Sequence, residues 1–306
     1  IVLTLGRGLV KLGLAPGNKD RILNFASTSH KWIRMLFASI TQGIPVVTAY
    51  DSLGTKGLTH SIQQTHCAAI FTDNNLLKKL VGPLQNSPDV RYIICSDAIV
   101  ETDKRGGGRL YKDAKAGADA ILAVRPDIKI ISLDEVLEMG KQNPDIEPYT
   151  SKPDDLACIM YTSGSTGDPK GVVLSNANIV AGLAGVSTTI RRGFIGYGDR
   201  VISFLPLAHI FELVFELLGY YWGGIVGYAS VKTLTDNSCR NCGGDMKTFK
   251  PTIMVGVAAV WGTVKKGILH QVKAMPSFKQ KMFWAAYNTK AACKKYSIPI
   301  VPSILD

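Results

Sequence analysis

The chain has 306 residues, 46% hydrophobic and 19% charged, with 30 glycines and 14 prolines, a balance that excludes disorder and allows one large or two small domains with a real core. Its formal charge of +11 is concentrated toward the end, where Lys247, Lys250, Lys265, Lys266, Lys273, Lys279, Lys281, Lys290, Lys294 and Lys295 meet almost no acid after Asp245. Such a surface suits anionic lipid headgroups or anionic substrates, or is simply a solvated lysine-rich face, and without arginine clusters or a nucleic-acid module it argues against nucleic acid.

Ile1 already lies in a helical pattern, Ile1 to Leu12, with no Met and no basic, apolar and cleavage-site sequence of a signal peptide, so a native N-terminus is expected upstream. Apolar, β-rich runs then alternate with helical patterns, the signature of βαβ units, and the fold class is α/β with mostly parallel sheets flanked by helices. The expected strands are Arg21 to Ala26, Ile44 to Ala49, Ala68 to Thr72, Val90 to Cys95 and Ile128 to Ser132. Between the first two, His30 to Thr41 places Trp32, Ile33, Leu36, Phe37 and Ile40 at helical spacing and stops at Gly43. Residues Glu101 to Ala118 lose this periodicity around Gly106, Gly107 and Gly108 and read as an exposed excursion.

Strands are expected again at Asp155 to Tyr161 and Gly171 to Leu174, followed by a helix over Asn176 to Ile190. The most apolar stretch, Val201 to Val231, carries His209, Glu212 and Glu216 and is broken by Pro206 and by Gly223-Gly224. It reads as strand, helix and strand in a core, not as a membrane span. A strand over Thr252 to Val257 and two helices, Ala258 to Ala274 and Phe278 to Tyr296, complete the pattern. The six cysteines lie in apolar contexts without disulfide-framework spacing, which predicts a reducing, intracellular compartment. Cys239-Arg-Asn-Cys242 has no second pair at zinc spacing and is assigned no metal or redox role.

The chemistry is concentrated in Tyr161-Thr-Ser-Gly-Ser-Thr-Gly-Asp-Pro-Lys170-Gly171. Gly164 and Gly167 free the backbone to turn its N–H groups into one concavity, Thr162, Ser163, Ser165 and Thr166 add hydroxyls, and Lys170 adds a positive charge. Such a set suits a polyphosphate. It is not a Walker A loop, because no G-x-x-x-x-G-K-[ST] can be laid on it. A plain glycine-rich turn would account for the glycines alone, but not for the hydroxyls and the lysine together.

This segment resembles the phosphate loop of the adenylate-forming acyl-CoA synthetases. The likeness extends to Tyr50-Asp-Ser-Leu-Gly54, Phe204-Leu-Pro-Leu-Ala-His209-Ile-Phe-Glu212, Gly227 to Leu234, and Phe249 to Val257 with Trp261. Together these resemble the eukaryotic long-chain fatty acid–CoA ligases, the fungal ones most of all, over essentially the whole chain. The resemblance implies that a fatty carboxylate attacks the α-phosphate of Mg²⁺-bound ATP, and that the thiolate of CoA then displaces AMP, with catalysis by positioning and charge stabilisation. It implies that Thr162 contacts magnesium and phosphate, that Ser163 through Gly167 hold the β- and γ-phosphates, and that Lys170 neutralises and orders the loop. His209 matches the superfamily histidine beside the substrate carboxylate and phosphate, where an imidazole donates to developing negative charge; a buried, hydrogen-bonded histidine at a helix start is the plainer alternative.

Glu212 and Glu216, at i and i+4, either orient His209 or belong to a solvated helix face. Phe211, Val214, Phe215, Leu218 and Tyr221 recur at helical spacing and suit either an acyl-chain wall, for which Phe211, Val214 and Phe215 are the candidates, or an ordinary buried helix. The tryptophan gate of some bacterial relatives has no counterpart, since Leu213 stands at that position.

By the same likeness the chain is expected to be an incomplete N-terminal adenylation domain. Residues 1–200 would form a first subdomain, 201–306 the start of a second, and the family's ribose aspartate, C-terminal lysine and lid domain would lie beyond. An inactive fragment follows as the expectation. The alternative is a truncated, non-catalytic protein that keeps an acyl- or membrane-binding surface; another adenylating enzyme would share the loop but not Gly227 to Leu234 or Phe249 to Val257. The expected location is peripheral, on endoplasmic reticulum, lipid droplet or peroxisome membranes, or cytoplasmic.

Overall fold

The computed structural model describes residues 1–162, 169–190, 195–236 and 239–295, the side chain of residue 294 apart. The first of two compact units covers Ile1–Val255. It opens with α1 (Val2–Leu12), closed by Gly13 at φ 119°, a left-handed stop that favours glycine. Then follow β1 (Ile22–Phe25), α2 (His30–Ile40), β2 (Val46–Thr48), α3 (Thr55–Thr65), β3 (Ala69–Thr72), α4 (Leu77–Gln85), β4 (Tyr92–Cys95), α5 (Arg109–Val124), β5 (Lys129–Ser132) and α6 (Leu133–Lys141). The antiparallel pair β6 (Leu156–Thr162) and β7 (Lys170–Ser175) leads into α7 (Asn176–Thr189). A second set comprises β8 (Arg200–Ser203), α8 (Ile210–Tyr221), β9 (Ile225–Tyr228), α9 (Asp245–Phe249) and β10 (Ile253–Met254).

Among the described residues the first sheet has seven strands in the order β5-β4-β3-β1-β2-β6-β7, parallel except for β6 with β7, and the second has three parallel strands in the order β10-β8-β9. The first sheet is covered on both faces, which is why its strands read as apolar runs without alternation. Ile22 of β1 packs into one core with Leu5, Leu9, Trp32 and Met35, while its neighbours Leu23 and Phe25 pack into the other with Leu58, Ile62, Leu77 and Ile121. The helix over 30–40 forms as expected, with Ser29 accepting a hydrogen bond from the Trp32 amide and so satisfying one of the free donors at its start.

Residues 109–118 do not form the exposed excursion that the lost periodicity suggested. They open the 16-residue helix α5, which buries Ala114, Gly117, Ala118 and Ile121. The contact is made by small residues: a Cβ on Gly117 would stand 2.8 Å from that of Leu77 on α4. A face built from alanine and glycine carries little hydrophobic signal, so the pattern hid a surface helix packed along one face. Only the preceding turn, where Gly106, Gly107 and Gly108 all have positive φ, fits the earlier reading.

The apolar stretch Val201 to Val231 forms strand, helix and strand, and among the described residues no helix is long and apolar enough to cross a membrane. The second compact unit begins at Gly256 and carries α10 (Ala258–Ala274) and α11 (Ser277–Lys295). On these helices Trp261, Ile268, Phe278, Met282, Trp284 and Tyr287 are exposed, and Phe283 stacks on Tyr287.

Candidate active site

The hydroxyl- and glycine-rich segment joins two strands paired across the edge of the first sheet. Thr162 ends β6 and Lys170 begins β7, and the two are cross-strand partners, with Thr162 Oγ1 donating a long hydrogen bond of 3.4 Å to the Lys170 carbonyl. Both side chains are exposed. Ser163, Gly164, Ser165, Thr166 and Gly167 lie outside the described residues. The flanks of the segment are fastened to α3: the Tyr161 hydroxyl donates to Gln64 Oε1 at 2.7 Å, and His60 Nε2 lies 3.1 Å from the Pro169 carbonyl, which can only accept.

His209 arrives from the second sheet. It sits at the N-cap of α8, where Nδ1 accepts from the Phe211 amide at 3.1 Å. That bond leaves Nδ1 without a proton and makes Nε2–H the ring donor. The loop before it is tied to the first sheet by Thr28, whose hydroxyl donates to the Leu205 carbonyl at 2.6 Å and accepts from the Leu207 amide at 2.9 Å. Thr48 at the end of β2 donates to the Ala208 carbonyl at 3.2 Å. Through these bonds His209 and Thr162 come to line one cavity of about 200 Å³, together with Tyr50, Met160, Tyr161, Val172, Leu174, Ala208 and Ile210. Phe211, Val214 and Phe215 are not among its lining residues. On α8 the expected stripe divides: Leu218 is buried, Val214 and Phe215 are half-buried, and Phe211 and Tyr221 are exposed.

A second cavity, of about 410 Å³, adjoins the first and shares Tyr50 and Ala208 with it. Ser27, Thr28, Asp51, Asn75, Ser230 and Lys232 give it polar walls at the carboxyl ends of β1, β2 and β9, where open parallel sheets commonly bind ligands. Tyr50, whose phenol is pushed above its ordinary range by burial, stands between the two. The sequence marked Tyr50 only as part of a motif; its place just after a parallel strand was the available signal for a site.

Glu212 and Glu216 do not face solvent, and their side-chain hydrogen bonds run to Ser203, Tyr220 and Tyr228 and not to the His209 ring. Both are fully buried. Ser203 Oγ on β8 lies 2.6 Å from Glu212 Oε1 and 2.8 Å from Glu216 Oε2, and Glu216 Oε1 accepts from the hydroxyls of Tyr220 and Tyr228. Burial raises both carboxyls, that of Glu212 to about 7, where the charge of Glu216 adds to the effect and the Ser203 hydrogen bond opposes it. Cys239 Sγ, by contrast, makes weak contacts of 3.7 and 3.5 Å to the carbonyls of Thr233 and Thr235 and a side-chain contact to Cys242.

The sequence pattern of the family described as AMP-binding enzyme matches residues 2–298. Among curated proteins, long-chain-fatty-acid–CoA ligase 1 of Saccharomyces cerevisiae is 56% identical over 296 residues, covering 96% of this chain and 42% of the relative. Long-chain-fatty-acid–CoA ligase 2 of Schizosaccharomyces pombe is 44% identical, covering 98% of this chain and 41% of the relative. The chain thus spans about two fifths of the length of these curated relatives. In fold it is similar to the adenylation domain of a carboxylate reductase from Mycobacterium chelonae, with a TM-score of 0.71 at 18% identity over 90% of this chain and 40% of that one. A second solved structure, a protein described as a putative long-chain-fatty-acid CoA ligase from Rhodopseudomonas palustris, gives a TM-score of 0.62 at 16% identity, over 87% of this chain and 56% of that one.

Proposed function

The chain belongs to the AMP-binding enzyme family, and from that membership we propose that it supplies the ATP-phosphate site and the start of the acyl site of a long-chain fatty acid–CoA ligase. The observation that carries this reading is the meeting of Thr162 and His209 in one cavity, with Lys170 paired across the strand from Thr162. In the first half-reaction a carboxylate oxygen attacks the α-phosphorus and pyrophosphate leaves. Lys170 offsets the charge of the phosphates, and the Nε2–H of His209 donates to the oxygen on which negative charge grows. In the second, the CoA thiolate attacks the acyl carbon and AMP leaves. No side chain of this protein forms a covalent bond in either step.

Magnesium belongs to this reading as an ion that arrives with ATP. Thr162 suits it in kind, since its hydroxyl is exposed and makes only a long hydrogen bond, and magnesium takes few protein oxygens when phosphates and water supply the rest. When bound it would neutralise phosphate charge. Among the described residues no cluster of His, Cys, Asp or Glu offers a separate metal site.

We further propose that the 306 residues alone do not complete the ligation, because they span about two fifths of the relatives' length. The exposed aromatic and lysine side chains of α10 and α11 suit peripheral contact with an anionic membrane, and so a place on endoplasmic reticulum, lipid droplet or peroxisome surfaces. Fatty-acid-dependent ATP–pyrophosphate exchange by the native gene product, sized on the same gel, tests the reading. Exchange from a polypeptide much larger than 33.1 kDa supports it, whereas no exchange with any long-chain acid sinks it. Flotation with liposomes that ignores anionic lipid and salt removes the membrane contact.

A further inference from the structure

The buried acids of α8 make demands that the reaction does not explain. Glu212 and Glu216 are both inaccessible to solvent, and a pair of ionised carboxylates there would be costly. Ser203 lies between them with one hydroxyl hydrogen and two carboxyl oxygens at hydrogen-bond distance, 2.6 and 2.8 Å away. One hydrogen cannot fill both bonds, and the unfilled one would set oxygen lone pairs of Ser203 and a carboxylate against each other. The arrangement is satisfied if one carboxyl is protonated and donates to Ser203 Oγ, while Ser203 donates onward to the other.

The surroundings decide which acid holds the proton. Two phenol hydrogens serve three close contacts at Glu216: Tyr228 donates to Oε1, and Tyr220 donates either to Oε1 or to the Tyr228 oxygen 2.6 Å away, so Glu216 keeps at least one hydroxyl donor besides Ser203. Glu212 has Ser203 and a weak contact from the Phe204 backbone N–H, and its Oε2 makes no hydrogen bond of good geometry. The other ionisable groups facing the cluster come from α2: Arg34 acts on Tyr220, and the ring of His30 stands edge-on to Tyr228. Neither is among the groups that shift Glu212.

We propose that Glu212 is a neutral, proton-donating acid, that it shares its proton with Glu216 through Ser203, and that this chain of hydrogen bonds locks the first turn of α8 onto β8. His209 caps that turn, so Glu212 acts as a positioning residue for the imidazole. The positioning half rests on the role given to His209 above; the proton-sharing half stands without it.

Infrared difference spectra of the native polypeptide, labelled with carbon-13 in its glutamate carboxyls, test the first half. At pH 6 a protonated glutamate band is expected in the wild type and absent from Glu212→Gln. No such band in the wild type, or an unchanged band in the variant, overturns it. For the second half, Glu212→Ala lowers kcat for ATP–pyrophosphate exchange about tenfold and moves KM for ATP less than about twofold, and Glu212→Gln restores kcat. Ser203→Ala, which removes a single oxygen, takes the place of Glu212→Ala if that variant does not fold. Wild-type kcat in both alanine variants overturns the positioning role. If His209→Ala exchanges as well as wild type, the reading of His209 fails and the positioning half falls with it, while the infrared band still decides the proton-sharing half.

Discussion

Thr162 and His209, one closing a strand of the first sheet and the other capping a helix of the second, line the same cavity. Neither sheet forms that cavity alone. It depends on Thr28 and Thr48, whose hydroxyls bind backbone groups of the loop running into His209.

His209 has two roles that substitution can separate. Asparagine caps a helix well and lacks the imidazole, whereas alanine does neither job. His209→Asn is therefore expected to lower pyrophosphate exchange by about 100-fold and to leave the thermal transition nearly unchanged. His209→Ala should lose the same activity and about 1 kcal/mol of stability as well. Exchange rates read beside thermal melts of the two variants check both outcomes.

Lys170 stands exposed at the first position of β7, across from Thr162. If its charge serves the phosphates, Lys170→Met raises KM for ATP about tenfold or more and leaves KM for the fatty acid unchanged. Initial rates with each substrate varied in turn make the distinction.

The acid at Glu212 makes stability depend on pH in a defined direction. Its folded-state value of about 7 lies above the ordinary 4.5, so between those two pH values the folded chain holds a proton that the unfolded chain has released. Stability from this group is full below the lower value, falls as pH rises through the window, and levels off above about 7. The loss is about 3 kcal/mol. Urea unfolding at pH 5 and pH 8 should show that decline in the wild type and a smaller one in Glu212→Gln.

Two glycines on helices should respond in opposite ways to the same added methyl. A Cβ on Gly140 of α6 would stand 1.7 Å from the Thr4 carbonyl oxygen on α1, while one on Gly182 of α7 meets nothing within 4 Å. Gly140→Ala is expected to cost about 3 kcal/mol or more by forcing the helices apart. Gly182→Ala should raise stability by up to about 1 kcal/mol through helix propensity. Urea unfolding of the two single variants measures both.

The alternation of strands and helices and most of their positions were legible from residue order, as was the gathering of hydroxyls, glycines and a lysine between β6 and β7. Each rests on local properties: runs buried on both faces, such as Ile22–Phe25, glycines at turns, and hydroxyls clustered beside a lysine. Helix α5 was not legible, because it packs through Ala114, Gly117 and Ala118, whose small side chains carry little signal of burial. Nor was the setting of Glu212 and Glu216. Spacing places two carboxyls on one helix face, but only the packing of β8 and β9 determines whether that face meets water or Ser203, Tyr220 and Tyr228. The sequence by itself determined which groups are available for chemistry. Tertiary structure decided which of them share a cavity and which are withdrawn from water, because distance and desolvation arise only when separate elements pack together.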